Sequence, residues 1–223
     1  GVDWHFNAWG GLEGGLYFPW DRDELVARRV LVKEGLERYR APLVCEGGAI
    51  HTDGEGTLLV TEECLLNPNR NPTLGRRQIE TLLQAYTGTS HIIWLGRGVF
   101  NDETDGHVDN LACFVAPGEV ALLWCDDPRD PQSVISRDAF ERLSEARDAR
   151  GRRLKIHRIP MPGPLDMTEI EAAGLVPRAG TKRRRGGERL AASYVNFYIA
   201  NGGVVVPLLD PRLDAKEIGR AHV

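Results

Sequence analysis

Hydrophobic positions along the chain fall into short runs closed by turn residues, and one arrangement of runs recurs three times. The first copy covers residues 43–51, a turn at Asp53-Gly54-Glu55-Gly56, and residues 57–60. The second covers 107–115, a turn at Ala116-Pro117-Gly118-Glu119, and 120–125. The third covers 193–199, a turn at Ala200-Asn201-Gly202-Gly203, and 204–208. Asp-Gly and Asn-Gly supply the positive φ that tight hairpin turns need, so each copy predicts a pair of antiparallel strands. After the first hairpin, Leu74, Ile79, Leu82, Leu83 and Tyr86 recur at helical spacing over 74–86. After the second, Val134, Ile135, Ala139, Phe140 and Leu143 do the same over 131–149. Short apolar strands follow both helices, at 91–95 and 154–159. The unit is strand, strand, helix, strand, and the fold class is α/β built from ββαβ repeats.

Two segments stand outside the pattern. Residues 159–190 hold four prolines and the run Lys182-Arg183-Arg184-Arg185, and they read as an exposed loop with a solvated basic surface. Residues 213–220 read as the opening turns of a helix that Asp210 or Asp214 could cap. The chain opens Gly1-Val2-Asp3-Trp4 with neither an initiating Met nor a signal peptide pattern. Both ends together lead us to expect an internal piece of a longer protein.

Composition narrows the functional classes. The 223 residues are 42% hydrophobic and 27% charged with a formal net charge of −4, which suits a folded domain and argues against a nucleic-acid partner. Apolar runs such as Val204-Val205-Val206-Pro207-Leu208-Leu209 are far too short to span a membrane. Four cysteines (Cys45, Cys64, Cys113, Cys125) without a C-x-x-C pair fit neither a disulfide scaffold nor a zinc site. Three of them lie in apolar strand stretches, and packing there makes a thiol inert. The glycine-rich Gly10-Gly11-Leu12-Glu13-Gly14-Gly15 lacks the Lys-Ser/Thr of a phosphate loop. The expectation is a soluble, cytoplasmic protein without a nucleotide site.

Candidate chemistry centres on the hairpins. In Asp105-Gly106-His107-Val108-Asp109-Asn110, a strand would put His107 and Asp109 on one face, either as an acid–base pair or as a solvated hairpin surface. Asp102, Glu103 and Asp105 make the preceding loop anionic. Glu46-Gly47-Gly48 holds the matching place in the first hairpin, where a charge after Leu43-Val44-Cys45 needs a partner if buried. The paired glycines allow close approach to the backbone, so the segment is either a turn or a site. His51, His107, Asp53 and Asp109 can be imagined as metal ligands, but no H-E-x-x-H motif or Cys/His cluster supports a metal, and none is expected.

Several longer motifs carry a resemblance. Asn7-Ala8-Trp9-Gly10-Gly11, Glu46-Gly47-Gly48 with Asp53-Gly54-Glu55-Gly56-Thr57, Leu65-Leu66-Asn67-Pro68-Asn69-Arg70-Asn71-Pro72, Trp94-Leu95, Asp102-Glu103-Thr104-Asp105-Gly106-His107-Val108-Asp109-Asn110 and Ser193-Tyr194-Val195-Asn196-Phe197-Tyr198 stand in the order found in the agmatine deiminase family. This branch of the guanidine-modifying superfamily, the penteins, is also called bacterial-type peptidylarginine deiminase. The resemblance implies a five-bladed α/β propeller, of which residues 1–223 hold about three blades of one partial domain. It implies hydrolysis of agmatine to N-carbamoylputrescine and ammonia in polyamine and putrescine biosynthesis, without metal or cofactor. Glu46, His107 and Asp109 match active-site positions, and Trp9, Glu46 and Asp109 are the expected substrate contacts. The family's nucleophilic Cys sits in an Asn-x-His-Cys context that no cysteine here shares, and a further substrate-binding Asp belongs before Gly1. The chain alone is therefore expected to be inactive, its parent acting through a Cys-thiouronium intermediate. Two alternatives stand beside this: an arginine or peptidyl-arginine deiminase, and a non-catalytic propeller serving as a binding module. A homo-oligomer is left open, with no interface legible.

Overall fold

Alternating apolar strands pack against amphipathic helices in a computed structural model that describes residues 1–174 and 182–215. β1 (Val2–His5) runs parallel to β2 (Tyr39–Val44), joined through α1 (Val26–Glu34). A three-stranded sheet follows: β3 (Ile50–Thr52) pairs antiparallel with β4 (Thr57–Thr61), and β4 pairs parallel with β5 (His91–Leu95). Between β4 and β5 lie the short α2 (Glu62–Leu65) and the longer α3 (Arg76–Thr87). The next sheet repeats the plan. β6 (Ala112–Ala116) pairs antiparallel with β7 (Glu119–Trp124), and β7 pairs parallel with β8 (Lys155–Pro160) across α4 (Pro131–Glu145). After α5 (Glu169–Ala173), β9 (Tyr198–Ala200) and β10 (Gly203–Val205) form a last hairpin.

The two complete units share buried surfaces because side chains alternate across each strand. Leu58 and Val60 of β4 meet Ile79 and Leu83 of α3, while Leu59 turns to a second core with Val108, Leu111, Leu122 and Leu143. All five residues of β4 are buried, which explains its unbroken apolar run. Gly88 ends α3 in the left-handed conformation, and Asp130 caps α4 by accepting from the Gln132 N–H at 2.9 Å.

Strands 91–95 and 154–159, both long helices and all three turns are where the pattern puts them, but the first strand of each hairpin is shorter. Residues 43–51 divide between two sheets, with Leu43 and Val44 in β2 and the chain re-entering at Ile50. Residues 107–111 precede β6, and of 193–199 only the last two belong to β9. His107 and Asp109 therefore do not share a strand. In each copy the residues entering the hairpin form an irregular loop most of whose apolar members are buried, and burial gave them a strand's pattern. α4 also stops at Glu145, short of the expected 149.

The segment 159–190 is more than an exposed loop. Met167 is buried, and Asp166 bridges to Arg189. The basic run is partly paired rather than solvated: the Lys182 ammonium lies 2.7 Å from Asp105 Oδ1, and Arg184 pairs with Glu103. The helix expected at 213–220 lies mostly outside the described residues, and no helix among those described is long and apolar enough to cross a membrane.

Candidate active site

The loops that enter the hairpins converge on a cavity of about 590 Å³. Glu46, Gly47 and Gly48 line it from the first copy, His107, Asp109 and Asn110 from the second, and Asn196 from the third. Trp4, Phe6 and Trp9 supply an aromatic wall. Trp9 is held at φ 61°, its ring edge-on to Phe6 at 5.1 Å. The structure thus brings together Glu46, His107, Asp109 and Trp9.

Backbone geometry sets the central pair. Asp105 and Gly106 both take positive φ (57° and 88°), turning the chain so that the His107 N–H donates to Asp102 Oδ2 at 2.9 Å. The Thr61 hydroxyl donates to the Gly106 carbonyl at 2.5 Å and ties the turn to the end of β4. Asp109 N–H donates to the Gly48 carbonyl at 3.3 Å. A Cβ on Gly48 would stand 2.4 Å from His107 Nδ1 and 2.7 Å from Asp109 Oδ2, so only glycine lets both side chains lie against this backbone. Gly47, by contrast, faces open space.

The polar groups differ in how far they are satisfied. Glu46 Oε1 accepts from Arg70 Nε at 2.8 Å, and Glu46 Oε2 lies 3.5 Å from His107 Nε2. That separation is too long for a well-formed hydrogen bond. Among the described residues, the buried side-chain atoms left without a partner are His107 Nε2 and Asp109 Oδ1. Buried polar atoms are rarely left so, and two on side chains that line one cavity mark a place for a polar ligand. Burial pushes the Glu46 carboxyl upward, but the His107 imidazole and the Arg70 guanidinium outweigh it and hold the pKa below its ordinary value. For Asp109 burial wins, with Asp102 adding repulsion against a favourable His107, and its pKa is raised.

Other candidates have structural work. The His51 ring nitrogen accepts from the Phe114 N–H at 3.2 Å, linking β3 to the next sheet. Asp53 closes the β3–β4 turn, accepting from the Thr57 hydroxyl at 2.6 Å. Burial raises all four thiols, Cys113 to about 12, so none is poised as a nucleophile. Ligand atoms of Glu46, Cys64 and His107 lie within 4.8 Å of one another. A buried guanidinium already against Glu46, and a thiol held protonated, make this donor set unsuited to a resident cation. The residue that sequence reasoning missed is Arg70, whose side chain is fully buried behind Glu46. An arginine between prolines reads as a loop surface, and only the oddity of a buried Glu46 without a sequence neighbour to pair with it pointed to a hidden cation.

Comparison with known proteins shows the family. A family model described as Porphyromonas-type peptidyl-arginine deiminase matches residues 1–220. A protein of Shewanella frigidimarina provisionally named agmatine deiminase is 58% identical over 214 residues, covering 96% of this chain and 58% of the relative. Among solved structures, agmatine deiminase of Enterococcus faecalis superposes with a TM-score of 0.92 at 44% identity, covering 99% of this chain and 61% of that one. A Cys-to-Ser variant of C. jejuni agmatine deiminase with substrate bound gives 0.78 at 31% identity, with coverages of 99% and 59%. The chain thus spans about three fifths of the length of these relatives. Its motifs, its mixed α/β fold of several small sheets and the family match agree: the chain belongs to the Porphyromonas-type peptidyl-arginine deiminase family.

Proposed function

We propose that the chain forms the guanidinium-binding and acid–base part of an agmatine deiminase, which converts agmatine and water to N-carbamoylputrescine and ammonia. The observation that carries this is the pair of unpartnered buried atoms, His107 Nε2 and Asp109 Oδ1, on two side chains that line one cavity with Glu46. A guanidinium is a planar cation with five N–H donors and no acceptor, which suits two carboxylates. Asp109 grips one edge and polarises the central carbon, while Glu46 supplies a second anionic contact and Trp9 a flat wall. A cysteine thiolate from outside these 223 residues attacks that carbon. His107 gives a proton to the departing nitrogen as ammonia leaves, then takes one from the water that hydrolyses the thiouronium. In this reading the chain alone does not turn over, and the ββαβ units belong to a five-bladed propeller domain in a cytoplasmic enzyme of polyamine synthesis.

The cavity's charges favour agmatine over arginine. Its carboxylate lining residues among those described are Asp23, Glu24, Glu46 and Asp109, with no Lys or Arg in the lining, though Glu24 pairs with Arg40 behind it. Agmatine is a dication, whereas the carboxylate of arginine needs a cation to meet it. The test is ammonia release by the full-length protein from agmatine and from arginine. A kcat/KM for agmatine about 10²-fold or more above that for arginine is expected, on the scale of one uncompensated charge. Equal rates, or a preference for arginine or an arginyl peptide, would overturn the assignment.

A further inference from the structure

One sequence motif has no part in the chemistry above, yet the side-chain hydrogen bonds that tie it to the rest of the chain end on segments that carry a site residue. It is the turn at residues 67–71. Asn71 brackets Val44, two residues before Glu46, accepting from its N–H at 3.0 Å and donating to its carbonyl at 3.0 Å. Arg70 donates to Glu46 Oε1 at 2.8 Å, to the Thr104 carbonyl at 2.6 Å and to Asp105 Oδ2 at 3.2 Å. Asn69 donates to the same Asp105 oxygen at 2.8 Å, and its carbonyl accepts from Asn7 Nδ2 at 2.8 Å. Asn7 in turn accepts from the Gly10 N–H at 3.2 Å and so spans the Trp9 turn. Arg70 does not line the cavity, and its side chain is fully buried, so it has no route to a substrate.

We infer that the turn 67–71 is the positioning element of this site, with Arg70 fixing Glu46 and the loop of His107 and Asp109 in one frame. Its planar fork sets two directions at once, from Nε toward Glu46 and from the two terminal nitrogens toward the Thr104 carbonyl and the Asp105 carboxylate, which a lysine's single ammonium cannot do. The inference rests on the proposed reaction only for its effect on turnover; the geometry stands without it.

Two readouts separate the outcomes. In the full-length protein, Arg70→Gln is expected to lower kcat for agmatine about 10²-fold, the scale of a misplacement near 1 Å, with Arg70→Lys recovering only part. In the same full-length protein without substrate, carbon-13 NMR titration of the Glu46 carboxyl reports on positioning. Glu46 is faced by Arg70 and His107, by the Cys64 thiol at 4.0 Å and by its neighbour Cys45, with Asp105 beyond Arg70. Arg70→Gln should move its midpoint upward, Arg70→Lys should largely restore it, and Asn69→Ala should leave it unchanged while still lowering kcat about tenfold. A folded Arg70→Gln chain with a wild-type Glu46 midpoint, or an Arg70→Lys enzyme with wild-type kcat, overturns the inference. Should Arg70→Gln not fold, the Arg70→Lys and Asn69→Ala variants decide. If wild-type protein releases no ammonia while the midpoint still moves, the proposed reaction fails and the positioning role stands.

Discussion

Asp53 and Asp109 sit at opposite ends of hairpins built on one plan, and they differ in how they are used. At the turn end, Asp53 Oδ1 accepts from the N–H groups of Glu55 and Thr57, both at 2.8 Å, and Oδ2 accepts the Thr57 hydroxyl. Burial pulls its pKa up, but these bonds more than cancel it and the pKa ends lowered. Asp148 near the corresponding turn of the second unit is satisfied in the same manner, by the Arg150 and Arg152 N–H groups at 2.9 Å. At the cavity end, Asp109 keeps one oxygen buried without a partner and its pKa is raised. The difference teaches where this fold keeps its stability and where it keeps its capacity to bind. The turn carboxylates spend their acceptors on the backbone; the cavity carboxylate holds one in reserve.

The contrast is broken most severely at Asp109. Asp109→Asn removes the charge while keeping the shape, and kcat/KM for agmatine in the full-length protein should fall about 10³-fold or more. Ammonia release checks this, and turnover within tenfold of wild type would contradict it. Gly48→Ala comes next, because the new Cβ would displace both His107 and Asp109. A loss of about 10²-fold in kcat/KM is expected, with the far-ultraviolet circular dichroism unchanged. A fully active Gly48→Ala enzyme would mean that the two side chains need not lie against that backbone.

How much of this was legible in the sequence depended on what kind of burial was involved. Turns and helices were legible because Asp53-Gly54, Asn201-Gly202 and the spacing of Ile79, Leu82 and Leu83 have local causes. The site loops were misread as strands. Cys45, Ala49, Val108 and Leu111 are apolar because they are buried, and burial alone does not tell a strand from a packed loop. Glu46, His107 and Asp109 were still found, since charged residues inside an apolar run need a reason. Arg70 was not, because its partners Glu46, Thr104 and Asp105 are distant in sequence. The pairing of Lys182 and Arg184 with the 103–105 loop escaped for the same reason.

At the turn end the expected effect is on stability alone. Asp53→Ala leaves the Thr57 and Glu55 N–H groups and the Thr57 hydroxyl without their acceptor. The cost should be about 1–3 kcal/mol in urea unfolding, with KM for agmatine unmoved in the full-length protein. A change in KM without a change in stability would reverse the roles given to the two ends.

The smallest effect, and the sharpest test of the contrast, is the sign of each carboxylate's contribution as pH changes. An aspartate in the unfolded chain titrates near pH 3.9. Asp109 titrates above that when folded, so between the two values the native state holds a proton the unfolded chain has lost. Raising the pH through this window therefore lowers stability. Asp53 titrates below it when folded, so its contribution is present above the unfolded value and is lost as the pH falls through the folded one. Urea unfolding of wild type, Asp109→Asn and Asp53→Asn across the acidic range should then give two opposite trends. The Asn variant at 109 should gain on wild type as the pH rises through the upper window and level off beyond it. The variant at 53 should match wild type at the acid end and fall behind as the pH rises through the lower window. Parallel curves for the two variants would show that the reserve at Asp109 carries no cost in the folded chain, and the division of labour between the two ends of the hairpin would have to be given up.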